Sequence, residues 1–197
     1  MLTLEDKPLF DRFFHARRYE NAHYNFTNLF MWRKAYHIHW ALEGDFLCVK
    51  ASWEGETFFL PPFGPEQGLT DVIEKMINHA EKEQFPFVLQ GMEKYMMEWL
   101  EKIKPGCFKY QAERDNFDYV YLSKELIELK GRKFHNKKNH VNSFRKTYTN
   151  YQYLPMTAEM TSQCIEFMRE WCDERGCVKG DSIDCERNAI VEAMNNF

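Results

Sequence analysis

The chain has 197 residues, with 26 Lys and Arg against 30 Asp and Glu, a formal net charge of −4. Its 44% hydrophobic and 16% aromatic content is enough for a sizeable core, and its mixed charge excludes a disordered polyelectrolyte. No apolar run approaches the roughly 20 residues of a bilayer span, and the acidic start MLTLEDKPLFDRFF is not a secretion signal. A cytoplasmic protein is expected.

The six cysteines form no C-x-x-C pair and are expected as reduced thiols. Cys164, Met168, Trp171 and Cys172 continue one helical apolar stripe and are read as core. Cys177 and Cys185 fit no zinc-knuckle spacing.

Taken in order, residues 4–18 form an amphipathic helix ending at Arg17-Arg18. A second helix covers Phe26–Lys34, with Asn25 or Thr27 as cap. Three strands follow at Tyr36–Leu42, Phe46–Ala51 and Thr57–Leu60, the first two joined as a hairpin by Glu43-Gly44-Asp45. His37 and His39 fall on one face of the first strand; without a third ligand nearby, a solvated face is favoured over a metal. After the stiff loop Pro61–Pro65, a helix runs from Thr70 to Glu83. Phe85–Gln90 is a short strand. Met92, Tyr95, Met96, Trp99, Leu100 and Ile103 then mark a helix stopped by Pro105-Gly106, its Met and aromatic stripe read as core. Phe108–Gln111 and Phe117–Leu122 are two further strands.

This order predicts an α/β fold, a mixed sheet flanked by helices. Residues 1–122 form the first domain, and 123–150 a basic linker region that opens with the short helix Ser123–Lys130, ended by Gly131. Residues 151–197 hold a strand at Tyr151–Leu154 and helices from Thr157 to Arg175 and from Asp181 or Ser182 onward. They form the start of a second unit. The last helix carries apolar residues Ala189, Ile190, Ala193, Met194 and Phe197 with nothing after them to pack under.

The segment Leu129–Tyr148 holds seven cations (Lys130, Arg132, Lys133, Lys137, Lys138, Arg145, Lys146), and no Asp or Glu occurs between Glu128 and Glu159. It carries +7 in a chain whose remainder is −11, which raises the local concentration of anions. As one helix, Phe134, Val141, Phe144 and Tyr148 share a stripe about 80° wide at about 100° per residue. Lys137 points into that stripe, Lys138 and Arg145 lie along one edge, and His140 lies just beyond the other. Three readings stay open. The Lys stems cover apolar surface in a linker helix, the segment binds an anion, or it touches an anionic membrane surface without a second anchor. In the second reading Lys133, Lys137, Lys138 and Arg145 neutralise the anion, and Asn139 and His140 supply directional hydrogen bonds. His140 is the weak candidate for a general base; a histidine bonded to a neighbouring carbonyl is the competing reading.

Four motifs carry a resemblance. F-T-N-L-F-M-W-R (Phe26–Arg33), L-P-P-F-G (Leu60–Gly64), L-K-G-R-K-F-H-N-K-K-N-H (Leu129–His140) and E-W-C (Glu170–Cys172) resemble the bacterial family related to the C-terminal domain of phosphatidylglycerol lysyltransferase. The resemblance spans nearly the whole chain and implies two successive acyltransferase-like (GNAT-type) domains, the second incomplete here. It also implies transfer of an acyl or aminoacyl group, in better-known relatives from aminoacyl-tRNA to a lipid or peptidoglycan acceptor. The anion would then be tRNA, a nucleotide or a lipid head group.

A coenzyme A site of this fold cradles pyrophosphate on consecutive backbone N–H groups at a helix N-terminus. The corresponding turn, Leu60–Gly68, contains Pro61, Pro62 and Pro65, which have no N–H. No cofactor is expected in the first domain. The rival functional class is a non-catalytic RNA- or anion-binding protein using the same basic segment; a repeat kept only as scaffold is the third.

Overall fold

Alternation along Phe46–Trp53 organises the first unit. Leu47, Val49 and Ala51 point to one face and Phe46 and Cys48 to the other, as the two-residue repeat of a strand requires. The computed structural model describes Met1–Phe197. Strands β1 (His39–Glu43), β2 (Phe46–Trp53) and β3 (Glu56–Phe59) form an antiparallel sheet in the order β1-β2-β3. Trp40 faces Val49, and Lys50 faces Phe59. Helices cover both faces, so the fold is mixed α/β as predicted.

The first face packs on α1 (Lys7–Phe14) and α2 (Phe26–Trp32), which bury Phe10, Phe14, Phe26 and Phe30 against Leu47 and Val49. Phe63 joins them, meeting the rings of Phe14 and Tyr24 edge-on at 4.9 and 4.8 Å. Asn25 caps α2, its side chain accepting from the Asn28 N–H at 2.8 Å. The second face packs on α3 (Leu69–Lys82) and α4 (Lys94–Ile103) through Val72, Ile73, Met76 and Leu100 around Phe46 and Phe59.

Several predicted strands do not form ladders. Phe85–Gln90 makes one parallel bridge, with the Gln90 N–H donating to the Phe59 carbonyl and the Phe59 N–H to Val88, both at 2.9 Å. Pro86 within it has no N–H to extend the pairing. The regular sheet is therefore wholly antiparallel, and the mixed character reduces to that bridge. Phe108–Gln111, Phe117–Leu122 and Tyr151–Leu154 have no strand beside them, so their β-forming side chains stay largely in solvent, Tyr153 at 93% exposure. His37 sits in a turn at φ 45°, ahead of β1, so it does not share a strand face with His39.

The second half is helical: α5 (Ser123–Glu128), α6 (His135–Thr147), α7 (Thr161–Arg175) and α8 (Ser182–Asn195). Leu129, not Gly131, takes the left-handed turn after α5, at φ 45°. Asp181 caps α8, accepting from the Asp184 N–H at 2.7 Å. Its apolar side does not lack a partner: α8 packs back onto α2 and beside α7. The α7 stripe is shallow, with Phe167 exposed and Cys172 buried. Gly176, at φ 67°, reverses the chain after α7 and brings Cys177 back over the helix end, its N–H donating to the Cys172 carbonyl at 3.1 Å. Cys172 and Cys177 are bonded across a Cα–Cα distance of 5.3 Å, which corrects the expectation of reduced thiols for this pair. The other four cysteines are free.

Candidate functional site

Polar residues dominate His135–Thr147, so α6 has little to bury. It stands clear of both cores, and only Phe134, just before it, is fully buried. The stripe Val141, Phe144, Tyr148 meets other exposed aromatics instead of a core, with the Phe144 ring 5.0 Å from Tyr151. Lys137 Nζ lies 5.6 Å from the centre of the Tyr121 ring, itself stacked at 6.5 Å on Tyr119.

The site residues named from sequence separate into three groups. Lys137 and Lys138 stand in the first turn of α6, exposed and without an ion pair. Lys133 is held 2.7 Å from Glu125, and the Asn139 amide lies 3.3 Å from His135 Nδ1, so both have local partners. Arg145 lies in the last turn, roughly 12 Å along the axis from Lys137 at 1.5 Å per residue. His140 is exposed, and no carboxylate orients it.

The electrostatics at the start of α6 are adverse to the helix alone. No side chain caps it; the 3-10 turn Arg132–Phe134 runs straight into it, with the His135 N–H donating to the Arg132 carbonyl and the Phe134 N–H to Gly131 at 3.2 Å. Arg132, Lys133, Lys137 and Lys138 surround that same end. An anion docked there relieves the mutual repulsion of the cations. The reach to Arg145 suits a partner whose charges are spread over that distance.

A second feature escaped the sequence reading. Between α1, the loop Leu60–Glu66 and α4 lies a cavity of 480 Å³. Arg17, placed only as the end of a helix by its sequence, lays its guanidinium 4.2 Å from the Tyr95 ring centre and 4.7 Å from that of Trp99. Tyr95 and Trp99 are half-buried wall residues, not closed core. Burial, with the neighbouring Tyr95 hydroxyl, pushes the Tyr19 hydroxyl far above its ordinary range; burial also raises Tyr95, although Arg17 opposes this. Both therefore stay neutral at physiological pH. The signals available were Arg17 at the end of one predicted helix and a Met and aromatic stripe beginning 75 residues later at Met92, a separation that carries no spatial information by itself.

Pro61, Pro62 and Pro65 line that cavity. Phe63 pairs with Leu47 through two backbone bonds, at 2.9 and 3.0 Å, so the loop is stitched to β2. The start of α3 is bordered by Asp45, Asp71 and the Lys75–Glu43 ion pair. No group of three or more His, Cys, Asp or Glu side chains is positioned to hold a metal, and no helix is long and apolar enough to cross a membrane.

Residues 16–197 match the family described as phosphatidylglycerol lysyltransferase, C-terminal. The chain is similar to a solved structure from Bacteroides thetaiotaomicron VPI-5482, a conserved protein of unknown function, with 34% identity and a TM-score of 0.90. That alignment covers 99% of this chain and 66% of the other, so the chain spans just under two thirds of its structural relative. Comparison with curated proteins gives no match.

Proposed function

Because the chain belongs to the phosphatidylglycerol lysyltransferase C-terminal family, we propose that it acts as an acyl or aminoacyl transferase, with α6 holding the anionic substrate. The observation that carries this reading is the cluster of cations at the start of α6, of which Lys137 and Lys138 are exposed and have no carboxylate partner. Such an arrangement costs folding stability and returns it only when an anion binds.

The spacing favours tRNA over a nucleotide or a lipid head group. One phosphate cannot reach both Lys137 and Arg145, whereas a polynucleotide presents a phosphate at each residue along its strand. Exposed Tyr119, Tyr121 and Tyr151 beside the cations suit unstacked bases. Asn139 and His140 then lie within the same first two turns to donate hydrogen bonds. His140 has no orienting carboxylate, so it is assigned to binding and not to proton transfer.

In this reading the first unit is a GNAT-type domain without a coenzyme A donor site. Three prolines remove backbone donors from its turn, Phe63 spends its N–H on Leu47, and Asp45 and Asp71 at the start of α3 repel a pyrophosphate.

The rival reading, an RNA-binding protein without a reaction, draws on the same helix and on the unoriented His140. Lys137→Glu/Lys138→Glu in the full-length protein separates them when tRNA binding and aminoacyl transfer are measured independently. The transferase reading expects both to fall together. Wild-type protein that binds tRNA but transfers nothing to any lipid or amine acceptor supports the rival.

A further inference from the structure

We propose that the cavity between α1, the proline loop and α4 binds a small carboxylate: one negative charge on a flat apolar or aromatic body. Its 480 Å³ falls within the usual range of small-molecule sites, at a place remote in sequence from α6.

The wall chemistry defines the body of the ligand. Phe13, Met92, Trp99 and the rings of Pro61 and Pro62 give an apolar surface. The loop's prolines have fixed φ, and its Phe63 is tied to β2, so the wall is formed before a ligand arrives.

The charged groups define its head. Arg12 and Arg17 both line the cavity and neither is in a salt bridge. Stacking on Tyr95 and Trp99 occupies a face of the Arg17 guanidinium and restrains a long side chain before binding. Its in-plane N–H groups remain a fork suited to a carboxylate. Two carboxylates also reach the lining. Glu66 is offset by Lys102 at 3.8 Å, whereas Asp45 has no such partner. On the lining itself two guanidiniums face one uncompensated carboxylate, and Glu93, also outside any ion pair, lies close enough to act on Tyr19 and Tyr95; this balance favours a monoanion over a phosphate dianion. The neutral hydroxyls of Tyr19 and Tyr95 add hydrogen-bonding capacity without adding charge.

The test is titration of the full-length protein with phenylacetate, phenylacetamide, benzylamine and phenyl phosphate, followed by calorimetry and by the indole N–H resonance of Trp99. Phenylacetate is expected to bind in the millimolar range or tighter, as about ten heavy atoms allow, and to shift the Trp99 resonance. The neutral amide and the amine are expected to bind about tenfold more weakly or not at all, and phenyl phosphate more weakly than phenylacetate. Arg17→Gln should lose about tenfold in phenylacetate affinity, with Arg17→Lys intermediate because it keeps the charge without the fork. Arg17 is exposed, so both variants fold. Lys137→Glu/Lys138→Glu should leave phenylacetate binding unchanged, which separates this site from α6. Equal binding of amide and acid, an Arg17→Gln variant with wild-type affinity, or no binding by any of the four probes overturns the proposal.

Discussion

Glu192 on α8 receives both Arg33 and Lys34 from the end of α2, joining residues 159 and 158 positions apart. The Lys34 Nζ–Oε2 distance is 2.7 Å, and the Arg33 and Glu192 side chains are only 11% and 19% exposed. The Lys34 and Arg33 hydrogen bonds hold the Glu192 carboxyl below its ordinary value of 4.5. Its contribution is therefore complete above about pH 4.5 and is lost as the pH falls through the lower folded value. Glu192→Gln should cost about 1–2 kcal/mol at pH 7, the typical worth of a partly buried charge-assisted bond. The difference from wild type should shrink below pH 4.5, as thermal melts across pH will show.

Gly64 permits the proline loop to lie on the hairpin. A Cβ there would stand 2.5 Å from Phe46 Cδ1 and 2.8 Å from the Asp45 carbonyl oxygen. The carbonyl is backbone and cannot swing aside, so the loop itself must shift. Gly64→Ala should destabilise the protein by about 1–3 kcal/mol. The same shift should widen the neighbouring cavity, so denaturant unfolding and phenylacetate titration of this variant should both change.

Cysteine reactivity should follow burial. The Cys48 thiol is pushed up to about 11, first by burial on the α3 side of the sheet and then by Glu43, whereas Cys107 is exposed. Iodoacetamide at pH 8 should alkylate Cys107 while Cys48 stays unmodified until the protein unfolds. Mass spectrometry of digested samples with and without denaturant reads this directly.

Charge reversal in α6 should stabilise the fold while it harms binding. Lys138 stands in a segment of seven cations with no Asp or Glu between Glu128 and Glu159, where a carboxylate lowers like-charge repulsion. Lys138→Glu is expected to raise stability by about 0.3–1 kcal/mol at low salt, with the gain fading as salt is added. Circular dichroism melts at two ionic strengths test the sign.

The hairpin and the helices α3 and α4 were legible in the sequence because their signals are local. The turn Glu43-Gly44-Asp45 and the alternation of Phe46–Ala51 marked the hairpin, and the apolar periods of α3 and α4 marked helices within one or two residues of their observed ends. Phe117–Leu122 failed because β-propensity describes fit to a sheet, and no strand lies alongside it. The packing of α8 on α2 escaped because Arg33 and Glu192 meet across more than 150 residues with no motif linking them. The α6 cations were visible as charge, and the structure adds that Lys133 is paired while Lys137 and Lys138 are not. The cavity was invisible for a different reason: Tyr95 and Trp99 have a core-like period, and only folding places Arg17 on their faces.

The claim that α6 grips a polynucleotide is tested most directly by measuring tRNA affinity of the full-length protein over a series of salt concentrations. With Lys137, Lys138 and Arg145 each meeting a phosphate, log K should fall against log salt with a slope of about −2, at about −0.7 per single-strand contact. In Lys137→Glu/Lys138→Glu the slope should weaken by about 1.4 and binding at low salt should drop sharply. Affinity and slope unchanged in the double variant, or no tRNA binding by the wild type at low salt, would contradict it.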